Sequence, residues 1–227
     1  MGTGDRDSNA NQKRLRLRLL KHHLPLLALS ALGVFALYVT RPYADVLSRA
    51  SFATAYPALV ALSATLLAGP WNLVRKRRNP VSSDLRRDLG IWAAILGILH
   101  SAIGQCVHLR GRPWLYYVYA STEKQAFPLR HDLFGLANTT GLACTMLVIA
   151  LLATSNDYSL RELGTPRWKQ LQRWNYAAFG FLAVHSFAYQ AIEKQKQLFV
   201  ATVIICVAIT LLFQFAGIMR RRYAAIR

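Results

Sequence analysis

Acidic residues are scarce in this chain, which has 28 Lys and Arg against 10 Asp and Glu and a formal net charge of +18. Such a balance would suit a nucleic-acid-binding protein if the basic residues formed one continuous patch. Instead, most of them fall in four segments separated by long apolar runs: Arg6–Lys21, Arg75–Arg87, Arg161–Arg173 and Arg220–Arg227. This distribution argues against nucleic acid as the partner.

Cysteine is also sparse, and none of the 3 cysteines lies in a CxxC pair, which excludes a thioredoxin-type motif and a disulfide framework. Cys106, Cys144 and Cys206 fall inside apolar runs, and we expect each to be buried and inert. The chain also lacks the GxGxxG and GxxxxGK[ST] loops of nucleotide-binding domains and the HExxH motif of zinc hydrolases. A redox role would therefore need reducing equivalents from a partner or a small carrier.

Long apolar runs are what the chain does contain, since 54% of its residues are hydrophobic and only 17% are charged. Several runs reach the ~20 residues that a helix needs to cross a bilayer, where helices satisfy their own backbone groups. The first run is short and is expected to form an interfacial or tilted helix. The sequence predicts an all-α membrane protein, a six-transmembrane-helix bundle formed by Leu24–Tyr38, Ala53–Val74, Leu89–Val107, Leu133–Ala153, Leu171–Tyr189 and Leu198–Met219.

The basic segments occupy alternate connections between these runs, which is the positive-inside pattern and places both termini in the cytoplasm. No small-x-small cleavage site follows the first run, so we expect it to be retained as a helix. The predicted organisation is a basic, disordered cytoplasmic arm over residues 1–20, the helical bundle over 21–222 and a cytoplasmic tail over 223–227. The expected location is the inner (plasma) membrane, with membrane lipid as a partner.

Two histidines near the middle of apolar runs are the candidate functional residues. His100 lies thirteen residues after Arg87, and His185 lies thirteen residues after Gln172, which precedes Arg173. At roughly 1.5 Å per residue, both imidazoles would stand ~20 Å above the same membrane face. Because an ionisable residue inside a span is costly and imidazole is a common iron ligand, this pair predicts two axial ligands clamping one haem.

Small residues surround the first of these histidines, since Gly97 and Gly104 lie on the same helix face as His100. They would let a porphyrin approach the backbone, although small residues also serve ordinary helix packing in membranes. A haem-free reading stays open, in which the histidines serve proton relay or hydrogen bonding between helices. His108 and His131 fall near the predicted outer surface, where we expect interface residues; a propionate contact or an acceptor site is the alternative.

Three groups of residues resemble the ferric reductase-like transmembrane domain family. Leu85–Gly90 with Ile98–His100 is similar to the third helix of that family, and Ala153–Asp157 is similar to the end of its fourth. The fifth helix is matched by Leu163–Gly164, Arg167–Arg173, Tyr176 and Val184–His185. Within the family, the chain is most similar to small stand-alone members, such as the haem-binding membrane subunits of periplasmic methionine sulfoxide reductase systems.

The resemblance implies a six-helix bundle that holds haem b between helices 3 and 5. Two-haem relatives carry two histidines on each of these helices. Here Gln172 stands where the small relatives have a second histidine at the start of helix 5, and the matching end of helix 3 has Arg86 and Arg87. The chain is therefore expected to hold one haem, with His100 and His185 as its metal ligands.

The small relatives also imply a flavin, FMN or FAD, at the cytoplasmic end. Basic and aromatic side chains there could bind its phosphate and stack on its ring, although the same residue types are ordinary topology and interface residues. The candidates are Arg86, Arg87, Trp168, Lys169, Gln172 and Arg173.

The function expected from the sequence is transmembrane electron transfer by an oxidoreductase or its haem-bearing membrane subunit. Electrons would come from a cytoplasmic flavin, flavin reductase or quinol donor and leave to an acceptor or periplasmic redox partner at the outer face. The alternative is a haem-free membrane transporter or assembly subunit that retains the fold. A cytochrome b561-like quinol oxidase is less consistent with the chain, because the inner histidine pair of that class is missing.

Overall fold

The computed structural model describes residues 12, 13, 15–41, 43–75, 84–109, 111–120 and 126–225. Within these ranges the chain is helical and forms no strand beyond one isolated bridge between Val118 and Leu129. The α-helices are α1 (Leu24–Thr40), α2 (Val46–Val74), α3 (Asp84–Gly104), α4 (Leu133–Ala153), α5 (Asp157–Gln172), α6 (Asn175–Ile192) and α7 (Gln197–Ala225).

Four helices are long and apolar enough to cross a membrane on length and composition, so the all-α membrane class is confirmed. They cover Leu15–Thr40, Val46–Val74, Leu133–Ala153 and Gln197–Arg220. Both histidine helices fall outside this set. Helix α3 begins with Asp84, Arg86, Arg87 and Asp88, whereas α6 has only 18 residues and carries polar side chains as well as its histidine.

The ends of the chain differ from the sequence-based boundaries. The first helical span starts at Leu15 and has 26 residues, because a π-helical turn at Leu19–His23 runs into α1 without a break. The first helix is therefore longer than the sequence suggested, and it begins within the arm predicted over residues 1–20; residues 1–11 and 14 lie outside the described ranges. Helix α7 likewise continues to Ala225, through the start of the predicted tail.

An additional polar helix, α5, lies between the fourth and fifth apolar runs. Its N-cap is Asn156, whose side chain accepts a hydrogen bond from the Ser159 backbone N–H at 2.7 Å. The helix is kinked at Gly164, where φ is 69°. Since α5 ends at Gln172 and α6 begins at Asn175, the thirteen residues from Gln172 to His185 do not follow one helix, and the depth estimate for His185 fails as a helix-rise argument.

The core brings both histidine helices against α2 and α4. Leu62, Leu66, Ala93 and Phe179 form one buried cluster that joins α2, α3 and α6. A second cluster joins α3, α4 and α6 and contains Ala94, Cys144, Val148 and Ala178. Small alanines at these contacts let the helices approach closely, as is common in membrane proteins.

The cysteines follow this packing only in part. Cys144 is buried as expected, and Cys206 is partly buried. Cys106 is exposed. It follows the end of α3 at Gly104 and therefore lies in the connection after the helix. The expectation of burial for Cys106 is therefore wrong.

One buried carboxylate ties the N-terminal helical segment to α3. Asp88 has no exposed side-chain area and accepts a hydrogen bond from Arg18. His22 Nδ1 lies 2.7 Å from its Oδ2, and His23 Nε2 lies 3.2 Å from its Oδ1. Trp92 donates its indole N–H to His23 Nδ1 at 3.3 Å. Because the first span is otherwise almost entirely on the surface of the bundle, this cluster is its main polar attachment among the described contacts.

Substituting Asp88→Ala should loosen the N-terminal segment, because Arg18, His22 and His23 would lose the carboxylate that bonds all three of them to α3. Removing one partner from a buried ion pair costs roughly 3–5 kcal/mol in general, and partial exposure of Arg18 and the histidines favours the lower end. We expect a lower Tm in detergent and faster tryptic cleavage at Lys21, with Glu162→Ala, an exposed acid on α5, as the control. An unchanged Tm and digestion pattern in Asp88→Ala would contradict this role.

Candidate functional site

His100 on α3 and His185 on α6 face each other across the interior of the bundle. Their ring centroids are 6.1 Å apart, with an angle of 74° between the ring planes. His100 lies four residues before the end of α3, and His185 lies seven residues before the end of α6. We call this end of the bundle, formed by Gly104, Leu133 and Ile192, the loop end. Both rings are therefore within ~10 Å of it along the helix axes.

The Nδ1 atoms of both histidines are bonded to backbone carbonyl groups of neighbouring helices. His100 Nδ1 lies 2.9 Å from the Ser51 carbonyl oxygen on α2, and His185 Nδ1 lies 2.8 Å from the Ala137 carbonyl oxygen on α4. A carbonyl oxygen only accepts, so each Nδ1 must carry the proton. This tautomer leaves the Nε2 lone pair of each neutral imidazole available to a metal, the arrangement found in metal sites with oriented histidines.

The spacing of the rings fits a metal held between them. With metal–nitrogen bonds of about 2 Å on each side, two imidazoles sharing one metal have their ring centres roughly 6 Å apart. In the described ranges, no group of three or more His, Cys, Asp or Glu side chains is arranged to hold a metal ion. Two histidines alone therefore suit a metal that brings further ligands with it, as haem iron does.

A cavity surrounds the pair and extends from it toward the loop end. Its walls include the small residues Gly97 and Gly104. A Cβ added at Gly97 would meet no atom of the described residues within 4 Å, and one at Gly104 would meet only Ser51 Oγ at 3.7 Å. Protein packing therefore does not require glycine at these positions, whereas access for a flat ligand would.

Gly141 on α4 has the opposite relation to the site. A Cβ at this position would lie 2.6 Å from His185 Nδ1 and 2.8 Å from His185 Cε1. Only glycine lets the ring sit here and reach the Ala137 carbonyl one turn earlier on the same helix. In the sequence, Gly141 was one of several small residues on this helix, and no local pattern marked it as the one that positions a ligand.

Polar groups extend the site beyond His185 toward the loop end. The Tyr189 ring centroid is 5.0 Å from that of His185, and its hydroxyl donates to Asn138 Oδ1 at 2.8 Å. His108 lies farther out, with Nε2 3.7 Å from Glu193 Oε1, and it lines the cavity. His131 is on the surface, against the Tyr119 ring.

The connection before α4 is structured near the loop end. Tyr116 is almost fully buried, donates its hydroxyl proton to the Gly104 carbonyl and accepts from the His108 backbone N–H. Asp132 caps α4 through the Gly135 N–H. Arg130, bonded to the same carboxylate, holds the pKa of Asp132 below its usual value.

Three of the predicted flavin-binding residues converge on the turn after α4, at the opposite end of the bundle. Arg87 donates to the Ser155 carbonyl at 2.9 Å and pairs with Asp157 at 2.6 Å. Trp168 donates its indole N–H to the Thr154 carbonyl at 2.8 Å. The Gln172 amide lies 3.5 Å from the hydroxyls of the same turn. These groups cap the end of α4, which is a structural role that the sequence motifs did not reveal.

The other predicted residues of this region are placed differently. Lys169 and Arg173 are exposed, and their side chains can reach a ligand without disturbing the cap. Arg86 lies against α2, where a Cβ added at Gly69 would meet its Nη1 at 3.6 Å. The structure thus separates the candidates into a cap (Arg87, Trp168, Gln172) and an exposed pair (Lys169, Arg173).

Comparisons with known proteins point to one group of haem-binding subunits. The chain is 30% identical over 105 residues to the protein-methionine-sulfoxide reductase heme-binding subunit MsrQ of Deinococcus radiodurans, covering 46% of this chain and 45% of the relative. It is 29% identical over 140 residues to MsrQ of Yersinia pseudotuberculosis, covering 56% of each. An uncharacterized protein of Treponema pallidum is 27% identical over 178 residues, covering 78% of this chain and 44% of the relative.

The chain spans about half the length of the curated relatives it matches. No protein-family model and no solved structure matches it. The resemblance predicted from the sequence is nevertheless confirmed by several relatives of the same name. By sequence, the chain is similar to MsrQ proteins, which are named as heme-binding subunits of protein-methionine-sulfoxide reductase.

Proposed function

We propose that this protein is a membrane electron-transfer subunit that holds one haem b between His100 and His185. The observation that carries the proposal is the paired geometry of the two imidazoles: both Nδ1 atoms are bonded to backbone carbonyls, and the ring centroids are 6.1 Å apart. The similarity to subunits named as heme-binding supports the same cofactor.

The proposed topology has six spans, with both termini in the cytoplasm of a bacterial inner membrane. Four helices meet the length and composition of spans, and α3 and α6 pack between them with their polar histidines directed into the bundle. The basic segments at the two termini and beside α5 lie at the end of the bundle opposite the loop end, and they favour the cytoplasmic side for that end. The loop end then faces outward, and the haem lies close to the outer surface.

Electrons would enter from the cytoplasmic side and leave at the loop end. Haem accepts and donates single electrons when bound, and this chain's part is to position it, keep water away and set its potential through the imidazole ligands. A cytoplasmic flavin (FMN or FAD), reduced by a flavin reductase, is the proposed donor, and Lys169 and Arg173 are the residues best exposed to bind its phosphate. A quinol is the other donor considered. The acceptor would be a periplasmic redox partner.

Substituting His100→Ala or His185→Ala should abolish haem retention, because one imidazole leaves the iron loosely held. The pyridine haemochromogen assay on purified protein should give about one haem per wild-type chain and close to none in either variant. His108→Ala, which changes a third histidine on the cavity wall, should retain haem. Full haem content in His100→Ala or His185→Ala would remove that residue from the ligand set, and a wild-type protein without a Soret band would favour the haem-free transporter or assembly subunit.

Substituting Gly141→Ala should displace the His185 ring and weaken haem binding by roughly tenfold or more, since the new methyl group overlaps Nδ1 and breaks the bond to the Ala137 carbonyl, worth about 1–1.5 kcal/mol, in addition to the strain. The measurement is haem affinity together with the low-spin electron paramagnetic resonance signal. Gly180→Ala, on the same helix as His185 with open space around its Cβ, is the matched control. Equal affinity and signal in both variants would contradict the positioning role of Gly141.

Substituting Lys169→Ala together with Arg173→Ala should slow haem reduction by reduced flavin mononucleotide about tenfold, without loss of haem. Both side chains are exposed, so helix capping by Arg87 and Trp168 stays intact. Arg161→Ala with Arg222→Ala removes the same charge from two other exposed positions and should leave the rate nearly unchanged. If both double variants behave like the wild type in reduction rate and flavin affinity, the basic residues serve topology, and a quinol donor becomes the better hypothesis.

A further inference from the structure

The cavity around the paired histidines changes character along its length. On the side away from the loop end its lining is mainly apolar and includes Ala58, Leu59, Val148 and Leu182. Toward the loop end, polar residues join apolar ones such as Phe52 and Val107. The polar lining residues there are Tyr43, Ser48, Gln105, His108, Gln190, Glu193 and Gln195. A ligand with one apolar and one polar edge is therefore favoured in one orientation, because burying a polar group without partners costs several kcal/mol.

Glutamine–tyrosine pairs recur in this polar part. The Gln195 amide donates to the Tyr43 hydroxyl at 3.0 Å, the Gln190 amide donates to the Tyr56 hydroxyl at 2.9 Å, and the Gln105 amide donates to the Tyr117 hydroxyl at 2.8 Å. A phenol that accepts from an amide keeps its own proton to donate. Tyr43 and Tyr56 line the cavity, so two phenolic donors are available to an acceptor that enters it.

A buried polar atom at the same place has no partner. Gln190 Oε1 is inaccessible and makes no hydrogen bond to any described residue. Since buried polar groups are normally paired, this acceptor calls for a hydrogen-bond donor beside it, such as a water molecule that bridges it to a ligand.

A buried arginine, Arg41, lies behind the cavity wall formed by Phe52. The Arg41 guanidinium lies 4.1 Å from the centroid of the Phe52 ring and 3.5 Å from that of Phe199. The arginine is only 9% exposed, and its Nη2 has no hydrogen-bond partner among the described residues. Phe52 lines the cavity, so this buried cation favours negative charge on the cavity side. Glu193 is the opposing acid, and its Oε1 lies 3.7 Å from His108 Nε2.

We propose that the loop end of the cavity is a carboxylate site, in which Tyr43 and Tyr56 donate to the two propionate groups of the bound haem. The inference rests on the proposed haem function and adds the orientation of the cofactor. The carboxylates point toward the loop end, and the apolar edge of the porphyrin points toward Leu59, Val148 and Leu182. In the proposed topology, the charged edge of the haem then faces the outer surface, where an acceptor would approach it.

The test compares haem with haem dimethyl ester, which has the same ring but no carboxylates. Full-length apoprotein, purified in detergent from haem-depleted cells, is titrated with each compound and followed by Soret absorbance. Charged hydrogen bonds of this kind change affinity by roughly tenfold or more each. We expect wild-type protein to bind the ester at least ~10-fold more weakly than haem. Tyr43→Phe with Tyr56→Phe should weaken haem binding by a similar factor and leave ester binding unchanged.

The controls separate this inference from loss of fold and from the haem proposal. Tyr223→Phe changes an exposed tyrosine near the end of α7 and should bind both compounds like the wild type. Equal wild-type affinity for haem and its ester would overturn the carboxylate site while leaving the His100–His185 pair intact. A double tyrosine variant that loses haem and ester equally would also overturn it, since the tyrosines would then act through the fold. A wild-type protein that binds neither compound would contradict the proposed haem function itself.

Discussion

The hydrogen bonds from two imidazole Nδ1 atoms to backbone carbonyls are the constraint on which the site depends. Each bond joins a histidine helix to a different neighbour: α3 to α2 through Ser51, and α6 to α4 through Ala137. The four helices around the cavity are therefore fixed relative to the same two rings. Because the acceptors are main-chain oxygens, almost no side-chain substitution can remove them, and the Nε2 atoms of both rings remain free of these bonds.

This constraint also explains where the chain tolerates no side chain. The His185 ring can reach the Ala137 carbonyl only by passing over the backbone of α4, and Gly141 provides that space. On the other side of the pair, Gly97 faces open cavity. The two glycines thus have different reasons to be small, one for positioning a ligand residue and the other for admitting a cofactor.

The sequence predicted the membrane class and the two candidate ligands because both depend on local patterns: apolar runs and a costly histidine within each. It could not predict Gly141 or Asp88, whose roles arise from contacts between residues far apart in the chain. It also missed α5, since a polar amphipathic helix with Gly164 and Pro166 reads as a loop. His100 and His185 do meet, although the residue count to Gln172 crosses a helix break; their approach is set by the ends of α3 and α6.

The two ends of the bundle use their polar groups differently, and this difference supports a direction for the protein. At the turn after α4, Arg87 and Trp168 donate hydrogen bonds to backbone carbonyls of the chain itself. Exposed residues such as Lys169 are therefore the ones that can bind a soluble carrier there. At the loop end, the phenols of Tyr43 and Tyr56 accept from amides and retain their own protons for donation. A fixed cofactor therefore fits near the loop end, and a transient donor fits at the other.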